Sequence, residues 1–516
     1  MNPVLAIDQG TTNTKALLFG PDGAVLASAS CPVALAHPRP GWAEQSPAEL
    51  WQSAQSAAMA CLAEHGAAGG VTIAVTNQRE SVLLWDRATG EPVGPCVSWQ
   101  CRRSADRIDA LRRPEVERLV AERTGLGLDP LFPAAKLGWL LDELPGARTR
   151  AERGALCAGT VDSWLLFKLT GGAVHATDHG NASRTQLLDI HRLCWDEELL
   201  DLFGIPARLL PDLRPSDACY GATAVASGLP PGLPVHAVVA DSHAALYGHG
   251  ARGPGPVKAT FGTGSSLLTL TDGPRMSAHG LSQTVAWTAG GRTEYALEGN
   301  ITVSGQAASF VAGMLGLLGA EALAELARSV PDSGGVVFVP ALAGLGAPHW
   351  DDRARGLVAG LTLASTPAHL ARATLEAIAH QVADVLDALD EDVGRPAAML
   401  RVDGGASGSD TLMQLVAGLT GREVERGSVA ELSAFGAACM AGVASGAWDE
   451  AALLPLCRAW TGRITPAMAE DVRDRLREAW HGAVSLARQG SARSPTRPRC
   501  PAGPVDAALA EAAYSQ

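Results

Sequence analysis

The sequence lacks several motifs that define well-known classes of binding site. None of its ten cysteines forms a Cys-x-x-Cys pair, so neither a structural zinc site nor a thioredoxin-like redox motif is expected. No Gly-x-x-x-x-Gly-Lys-Ser/Thr segment is present, which argues against a Walker-type P-loop protein. Basic residues are also in deficit, because 41 Lys and Arg stand against 54 Asp and Glu, for a net charge of −13. We therefore expect no nucleic-acid partner and no anionic membrane surface.

Long apolar runs are missing as well. The longest, Ala307 to Ala320, contains a serine and falls short of the roughly 20 residues needed to span a bilayer. We predict a buried helix there and no membrane insertion. The first residues, Met1 to Pro3, lack the basic start of a signal peptide, and Asp8 interrupts the apolar stretch that follows. The expected location is the cytoplasm, with reduced thiols.

The order of strand and helix signals predicts an α/β protein. Residues 4–7, 15–19 and 24–34 read as short strands separated by turns. A helix is predicted over residues 47–63, with Ser46 as its cap and a proline at its first position. Three meandering strands at the start argue against a plain Rossmann unit, which would cross over through a helix at once.

A second strand–turn–strand unit occurs at residues 257–270 and resembles the opening segment in design. Two such units predict two similar domains that face each other across a cleft. We place the N-terminal domain at residues 1–250 and the C-terminal domain at 251–485, with a boundary in a stretch rich in Gly and Pro. Residues 486–516 are predicted to form a flexible tail, because the stretch 489–504 is rich in Arg, Ser, Pro and Gly.

Asp8 stands at the end of a predicted strand, beside a turn rich in glycine and threonine. A carboxylate in this position can hold Mg²⁺ directly or through water. Gly10 lets the backbone approach a phosphate closely, and Thr11, Thr12 and Lys15 offer hydroxyl groups and a positive charge for phosphate oxygens. An ordinary hairpin with a polar turn would carry the same residues, so this segment alone does not decide between the two readings.

Two more glycine turns follow predicted strands in the second half of the chain. They are Gly262-Thr263-Gly264 and the segment from Asp403 to Ala406, which contains Gly404 and Gly405. Each turn is a weak signal by itself, because glycine turns are common. Together with the first turn they favour a single nucleotide-binding cleft.

Residues suited to a substrate with several hydroxyl groups follow other predicted strands. Arg79 and Glu80 offer hydrogen-bond donors and acceptors at one place, and Trp99 adds an apolar face. A surface salt-bridge cluster is the alternative interpretation. Asp241 ends an apolar strand, where its carboxylate could accept a hydroxyl proton during phosphoryl transfer. The nearby His243 is interpreted as a packed helix residue.

With these residues in view, the sequence resembles the FGGY carbohydrate kinase family, and the glycerol kinases within it in particular, from about residue 3 to about residue 460. The resemblance rests on many short segments in one order, among them Ala6-Ile-Asp-Gln-Gly-Thr-Thr12 and Arg401-Val-Asp-Gly-Gly405. The other segments span residues 41–44, 76–80, 99–103, 159–164, 177–178, 181–185, 295–299, 344–348 and 373–376.

The resemblance implies two actin-like, ribonuclease-H-like domains that close on the substrate, ATP and Mg²⁺. It implies ATP-dependent phosphorylation of a terminal hydroxyl of a small polyol, with Asp241 as general base. Arg79, Glu80 and Trp99 would bind the polyol, and Asp8 would serve the metal. The positions implied on the nucleotide side are Gly10, Thr11, Thr12, Lys15, Thr263, Gly264, Gly305, Ser309, Gly404, Gly405, Ala406 and Asp410.

The sequence departs from glycerol kinases at three of their seven usual substrate contacts and at two positions on the nucleotide side. Leu131 stands where they carry tyrosine, Ser242 where they carry glutamine, and Ser266 where they carry phenylalanine. On the nucleotide side, Ser309 and Asp410 replace glutamine and asparagine. The first three changes leave the substrate open between glycerol or a similar polyol and a polyol or ketose of four or five carbons.

A third alternative is a non-catalytic sugar or nucleotide sensor, or an actin-type ATPase, on the same fold. Retention of Asp8, Arg79, Glu80 and Asp241 together argues against it, because a sensor need not keep the base. Assembly into a homo-oligomer stays open at this stage.

Overall fold

The computed structural model describes residues 2–66, 70–427, 429 and 431–491. The N-terminal half is built on a mixed five-stranded sheet. In spatial order its strands are Val235–Ala240, Thr72–Asn77, Val4–Gln9, Asn13–Phe19 and Val25–Pro32. The central strand Val4–Gln9 pairs antiparallel with Asn13–Phe19 and parallel with Thr72–Asn77. The predicted opening of three meandering strands is therefore confirmed.

The C-terminal half is built on a seven-stranded sheet. In spatial order its strands are Ser282–Ala289, Arg292–Ile301, Ser265–Thr271, Val257–Phe261, Met399–Asp403, Glu423–Gly427 and Trp460–Ile464. Its five inner strands repeat the pattern of the first sheet, with three antiparallel strands followed by two parallel ones. This confirms the predicted repeat of the strand–turn–strand unit and the α/β fold with two similar domains.

The described residues also form several smaller sheets. One has four strands, Glu44–Gln45, Cys96–Val97, Val82–Asp86 and Leu156–Thr160. The two-stranded pairs are Leu188–Asp189 with Cys194–Trp195, Asp212–Arg214 with Ala176–Asp178, and Val337–Val339 with Leu357–Ala359.

The helix predicted at residues 47–63 spans Pro47–His65, and the Ser46 side chain accepts a hydrogen bond from the Glu49 amide as expected of a cap. The other helices of the N-terminal half are Ala105–Leu111, Pro114–Thr124, Pro133–Glu143, Ala147–Glu152, Val161–Leu169, His179–Ser183, Glu197–Phe203 and Asp241–Gly248. Those of the C-terminal half are Gly305–Met314, Ala320–Arg328, Pro367–Val393, Asp410–Thr420, Leu432–Ala444, Glu450–Cys457 and Glu470–Ser491. Short 3₁₀ helices span Ala207–Leu209, Val225–Ser227 and Gly405–Gly408.

The first strand buries both of its faces, because successive side chains of a strand point to opposite sides. Leu5 and Ile7 belong to a core that includes helix Pro47–His65. Val4 and Ala6 belong to a second core, to which helix Leu432–Ala444 contributes most of its apolar residues. This helix therefore completes the N-terminal core, although the predicted boundary at residue 250 assigns it to the C-terminal domain.

Two predictions made for the second half need correction or qualification. The apolar run from residue 307 to 320 is not one buried helix, because the helix ends at Met314, and Leu318 is 99% exposed. Only one face of this helix packs on the core, so Phe310 and Met314 remain exposed. Helix Glu470–Ser491 continues past residue 485, where the tail was predicted to begin. The rest of the predicted tail, from residue 492, lies outside the described residues. Over the described ranges, no helix has the length and apolarity to cross a membrane.

Candidate active site

A cavity of about 360 Å³ lies between the two halves of the molecule, within the size range of small-molecule sites. The seven residues predicted to contact the substrate all line it, together with three of those predicted for the phosphates. These residues are Arg79, Glu80, Trp99, Leu131, Asp241, Ser242 and Ser266, and Thr11, Thr263 and Gly264. Its remaining lining comes from Gln78, Thr260, Gly262, Ser265, Asn300, Ile301, Thr302 and Trp350.

The parallel strands of the N-terminal sheet explain why distant residues meet here. Asp8 lies near the end of the first strand, and Arg79 and Glu80 follow the end of the neighbouring strand Thr72–Asn77. Asp241 directly follows the next strand, Val235–Ala240, and begins a helix. Because these three strands run parallel, their carboxyl ends meet at one edge of the sheet, which is the usual position of a ligand in open α/β sheets.

A buried network of ion pairs joins the two halves beside the cavity. Arg79 makes a two-pronged contact with Glu298, with nitrogen–oxygen distances of 2.8 and 2.6 Å. Arg184 lies 2.7 Å from Glu80 and 3.0 Å from Glu298. Nε of Arg79 is also 3.6 Å from Oδ1 of Asp241. Since Glu298 comes from the C-terminal sheet and both arginines from the N-terminal half, the network fixes Arg79 relative to Asp241 and to the opposite domain.

This network sets the charge states of two carboxyl groups. Burial raises the pKa of Asp241 above its ordinary value, and the positive charge of Arg79 opposes that shift. Burial would also raise the pKa of Glu298, but Arg79 and Arg184 outweigh it and hold this pKa well below its ordinary value. Glu298 is therefore a fixed negative charge. Asp241, with a raised pKa, has the property expected of a group that accepts a proton.

Lys136 fixes the backbone on one side of the cavity. Its buried ammonium group donates hydrogen bonds to the carbonyl oxygens of Glu80, at 3.1 Å, and Leu131, at 2.6 Å. Burial lowers the pKa of Lys136 to about 8, and the nearby charge of Glu80 opposes this. The backbone of Glu80 has a φ of 60°, which is uncommon for a residue other than glycine. Lys136 thus helps to hold Glu80 in a conformation that points its carboxylate into the ion network.

The first glycine turn is stabilised by a backbone hydrogen bond within it and by a side chain from outside it. The Gly10 amide donates to the Asn13 carbonyl at 3.0 Å. The Thr11 hydroxyl accepts a hydrogen bond from the Trp99 indole, also at 3.0 Å, so the turn and the predicted apolar wall support each other. Thr12 is exposed at the tip of the turn.

Lys15, which was predicted to face phosphate, already has a partner in the structure. Its ammonium group contacts both carboxylate oxygens of Glu431 at 2.7 Å. Burial, together with the charges of Asp241 and Glu431, raises the pKa of Asp8 to about 7, and Lys15 opposes this shift. Three carboxylates with one lysine leave an excess of negative charge around Asp8.

The excess of negative charge around Asp8 suits the binding of a divalent cation. Within the described ranges, no group of three or more His, Cys, Asp or Glu side chains is arranged to hold a metal ion. Mg²⁺ commonly keeps several waters and binds through one or two carboxylates plus the phosphates of a substrate. The half-buried carboxylate of Asp8 fits that manner of binding.

The predicted nucleotide side is formed by glycine segments packed against each other. The Gly305 amide donates to the Gly262 carbonyl at 3.1 Å. A Cβ atom on Gly264 would lie 2.5 Å from the Ile301 carbonyl oxygen, and one on Gly404 would lie 2.5 Å from that of Phe261. Glycine is required at both positions, because any side chain would separate these segments.

The other predicted nucleotide positions lie outside the cavity lining. Gly405 and Ala406 begin the 3₁₀ helix Gly405–Gly408. Ser309 is exposed on helix Gly305–Met314. Asp410 is 86% exposed and pairs with Arg426 at 2.6 Å, so its carboxylate has an ion partner of its own.

The interpretation of His243 as a packed helix residue agrees with the structure. It is fully buried, its Nε2 lies 3.5 Å from the Thr284 hydroxyl, and it does not line the cavity. Burial lowers its pKa well below the ordinary value. Arg103, from the same motif as Trp99, pairs with Glu44 at 2.5 Å and covers the ring of Trp42, so its role is in packing.

Sequence reasoning missed several residues of this site. Arg184, Glu298 and Lys136 were not identified because buried charged residues and surface charged residues look alike in a sequence. Arg184 and Glu298 do lie within segments that carried the family resemblance, which was the available signal. Trp350 was also missed; it lines the cavity, has a φ of 46°, and donates from Nε1 to the Gly280 carbonyl at 2.5 Å.

Comparison with known proteins places this site in a family. The N-terminal domain of the FGGY family of carbohydrate kinases matches residues 3–248, and the C-terminal domain of that family matches residues 257–445. The chain is 48% identical to an apulose kinase from Pectobacterium atrosepticum over 487 residues, which cover 94% of this chain and 98% of the relative. It is also 48% identical to a glycerol kinase from Dechloromonas aromatica over 486 residues, with coverages of 93% and 96%.

Solved structures show the same fold. A glycerol kinase from Plasmodium falciparum with ADP superimposes with a TM-score of 0.88 and 28% identity, covering 94% of this chain and 98% of that one. A xylulose kinase from Rhodospirillum rubrum gives a TM-score of 0.84 and 27% identity, with coverages of 95% and 100%. From these matches over nearly its whole described length, the chain belongs to the FGGY family of carbohydrate kinases and is an ATP-dependent kinase.

Proposed function

We propose that this protein transfers the γ-phosphoryl group of ATP to a terminal hydroxyl of a small polyol, glycerol or a glycerol-like molecule. The observation that carries the proposal is the cavity itself. It brings Asp241 together with Arg79 and Glu80 on one side and the Gly262–Gly264 turn on the other. The 48% identity to a glycerol kinase from Dechloromonas aromatica supports the same reading.

In this proposal the polyol lies against the N-terminal half. Arg79 and Glu80 bind its hydroxyl groups, and Trp99 covers its carbon chain. Both charged groups are already oriented by the ion network with Arg184 and Glu298, so little rearrangement is needed when the substrate binds. Such positioning is a main source of rate enhancement in phosphoryl transfer.

Asp241 acts as the general base. Its carboxylate takes the proton of the attacking hydroxyl while that oxygen forms a bond to the γ-phosphorus. The bond between the γ-phosphorus and the bridging oxygen breaks, and ADP leaves. Burial raises the pKa of Asp241 above its ordinary value, and the adjacent Arg79 opposes that shift; a raised pKa suits a group that accepts a proton.

The nucleotide lies against the glycine segments of the C-terminal half. Backbone amides and hydroxyls at Gly10, Thr11, Thr12, Thr263 and Gly264 face the phosphates. We assign the remaining contacts with the nucleotide to Lys15, Gly305, Ser309, Gly404, Gly405, Ala406 and Asp410. Mg²⁺, bound at Asp8 directly or through water, would neutralise charge on the phosphates.

A second substrate class is favoured by a specific observation. Leu131, Ser242 and Ser266 all line the cavity, and each is smaller than its counterpart in glycerol kinases. The relative from Pectobacterium atrosepticum with the same 48% identity is an apulose kinase. A polyol or ketose of four or five carbons is therefore the alternative acceptor. A non-catalytic sensor is no longer an alternative, because the chain belongs to a kinase family.

Location and assembly form part of the proposal. We place the enzyme in the cytoplasm, where ATP is available as the donor. We propose that the protein forms a homo-oligomer. Light scattering on the purified chain measures its mass in solution and tests this.

The test is a coupled assay of ADP release with ATP, Mg²⁺ and a series of polyols and ketoses. We expect acceptor-dependent ADP release, and we expect Asp241→Asn to lower kcat by about 10²- to 10⁴-fold, the usual contribution of a general base. Nucleotide affinity should change little. Asp201→Asn, at an exposed helix position, is the matched control and should retain full activity. Near-normal turnover in Asp241→Asn would remove this residue from the mechanism.

A further inference from the structure

Three polar side chains lie side by side on the floor of the cavity. Thr260, Ser266 and Asn300 stand on three neighbouring strands of the C-terminal sheet, with Thr260 paired opposite Ser266 and Ser266 opposite Asn300. Directly paired residues on neighbouring strands point to the same face, with Cβ atoms about 4.5 to 5.5 Å apart. All three line the cavity, so they form a continuous polar row across it.

The position of this row is defined relative to the nucleotide side. Thr260 is also paired with Asp403, the residue that precedes the Gly404 turn. The row therefore starts beside the proposed nucleotide segments and extends through Ser266 to Asn300, away from them. It lies on the C-terminal half, whereas Arg79, Glu80 and Asp241 approach the cavity from the N-terminal half.

One member of the row has a buried hydroxyl group without a partner. The Ser266 hydroxyl oxygen is buried and makes no hydrogen bond in the part of the chain that the structure describes. The Asn300 side chain lies on the same face and is half-buried. By contrast, the neighbouring Ser265 hydroxyl donates to that of Ser304 at 2.7 Å. Leaving a buried polar group unpaired costs free energy, and native proteins rarely do so without a reason.

A bound acceptor would supply the missing partner of the Ser266 hydroxyl group. The two hydroxyl groups of glycerol that are not phosphorylated are matched by Arg79 and Glu80 in the proposed function, and the attacking one by Asp241. In such a complex, no hydroxyl group of glycerol would be left to bond to Thr260, Ser266 or Asn300. A longer or branched acceptor has further hydroxyl or carbonyl groups, which could bond to a serine hydroxyl and to both ends of an amide.

We propose that Ser266 and Asn300, continued by Thr260, form a subsite for a hydroxyl or carbonyl group beyond the three carbons of glycerol. The preferred acceptor is then a polyol or ketose of four or five carbons. This inference rests on the proposed kinase function and selects the acceptor class within it. It also identifies Asn300 as a specificity residue of the site.

The test compares Ser266→Ala and Asn300→Ala with the wild-type enzyme on glycerol, a tetritol and a pentulose. We expect kcat/KM on the best four- or five-carbon acceptor to fall by roughly 5- to 150-fold, mainly through KM, because the acceptor group is left without its hydrogen-bond partner in the site. The loss on glycerol should stay within about threefold. Equal losses on every acceptor, or no loss on any, would overturn the proposal.

A matched control separates a binding role from a packing role. Thr269 lies on the same strand as Ser266 but faces the other side of the sheet, where its hydroxyl donates to the Pro256 carbonyl at 3.2 Å. Thr269→Val should affect all acceptors alike. Ser266→Ala removes an unpaired buried hydroxyl, so its Tm should equal or exceed that of the wild type, whereas a clear fall in Tm would indicate a structural partner and contradict the proposal.

A binding measurement keeps this inference distinct from the proposed function. The rise in Tm caused by each acceptor in the absence of ATP reports binding without phosphoryl transfer. Stabilisation by four- or five-carbon acceptors that is lost in Asn300→Ala, without any ADP release, would refute the kinase proposal and keep the subsite. ADP release with unchanged acceptor ranking in both variants would keep the kinase and refute the subsite.

Discussion

Glu298→Gln is the most informative perturbation of the ion network between the two halves. The native carboxylate is completely buried and bonds to Arg79 through two hydrogen bonds of 2.8 and 2.6 Å, with Arg184 3.0 Å away. Glutamine has nearly the same shape but no charge. The substitution therefore leaves two guanidinium groups facing each other, with Glu80 and Asp241 as the remaining counter-charges.

The expected size of the effect follows from this geometry. Removing one partner of a buried ion pair usually destabilises a protein by about 3–5 kcal/mol, because an uncompensated charge remains. The glutamine oxygen still accepts one hydrogen bond, so we expect about 3 kcal/mol here. Arg79 should also lose its fixed position beside Asp241, which lowers kcat/KM by at least about tenfold.

Urea unfolding, followed by circular dichroism, measures the free energy of unfolding, and the ADP-release assay measures kcat/KM. Glu294→Gln is the matched control, since Glu294 lies on the same strand and pairs with the exposed Arg292 at 3.0 Å. Surface pairs of this kind contribute about 0–1 kcal/mol. If both variants lose the same small amount of stability, the network is not the buried link between the halves that its geometry indicates.

The stabilisation that Glu298 provides depends on pH in a definite direction. The pKa of Glu298 is lower in the folded protein than in the unfolded chain. Its contribution to stability is therefore complete above the unfolded carboxyl pKa of about 4.3 and is lost as the pH falls through the folded pKa. We expect the stability difference between wild type and Glu298→Gln to be constant from pH 8 to about pH 5 and to shrink only in more acidic solution.

Three further predictions concern the metal, the substrate and the packing of helix Asp241–Gly248. Asp8→Ala should lower activity even at saturating polyol, with partial recovery in excess Mg²⁺; a rise in polyol KM alone would place Asp8 in the substrate site. Leu131→Tyr with Ser266→Phe should shift the kcat/KM ratio toward glycerol by roughly 10- to 200-fold, and a wild type that already prefers glycerol tenfold would contradict the premise. Gly436→Ala would bring a Cβ atom to 1.8 Å from the Ala244 carbonyl and should cost at least about 3 kcal/mol in urea unfolding; an unchanged midpoint would refute this packing.

Much of the fold could be predicted from local signals in the sequence. The caps and turns around Ser46 and Pro47 defined the first helix, and Asp8 and Asp241 were correctly predicted to lie at the ends of apolar strands. These features depend on residues close together in the chain, where propensity and periodicity apply. The seven substrate positions were placed by family resemblance, and the cavity brings them together.

The features that escaped prediction depend on contacts between distant residues. Lys136 reads as a surface residue of an amphipathic helix, yet its ammonium group is buried against the carbonyls of Glu80 and Leu131. The partner of Lys15 is Glu431, 416 positions away. The apolar residues up to Leu318 resemble a buried helix, because composition alone does not reveal which face meets the core. No pattern within a short window contains this information.

Helix Leu432–Ala444 has a consequence for how the chain folds as it is made. It covers one face of the N-terminal sheet, where Val4 and Ala6 would otherwise meet water. When the ribosome has completed the last strand of that sheet, Val235–Ala240, the helix has not yet been synthesised. At usual translation rates the gap lasts roughly 10 to 40 s. During this interval the nascent sheet exposes an apolar surface, so we expect the growing chain to depend on chaperones until the helix emerges.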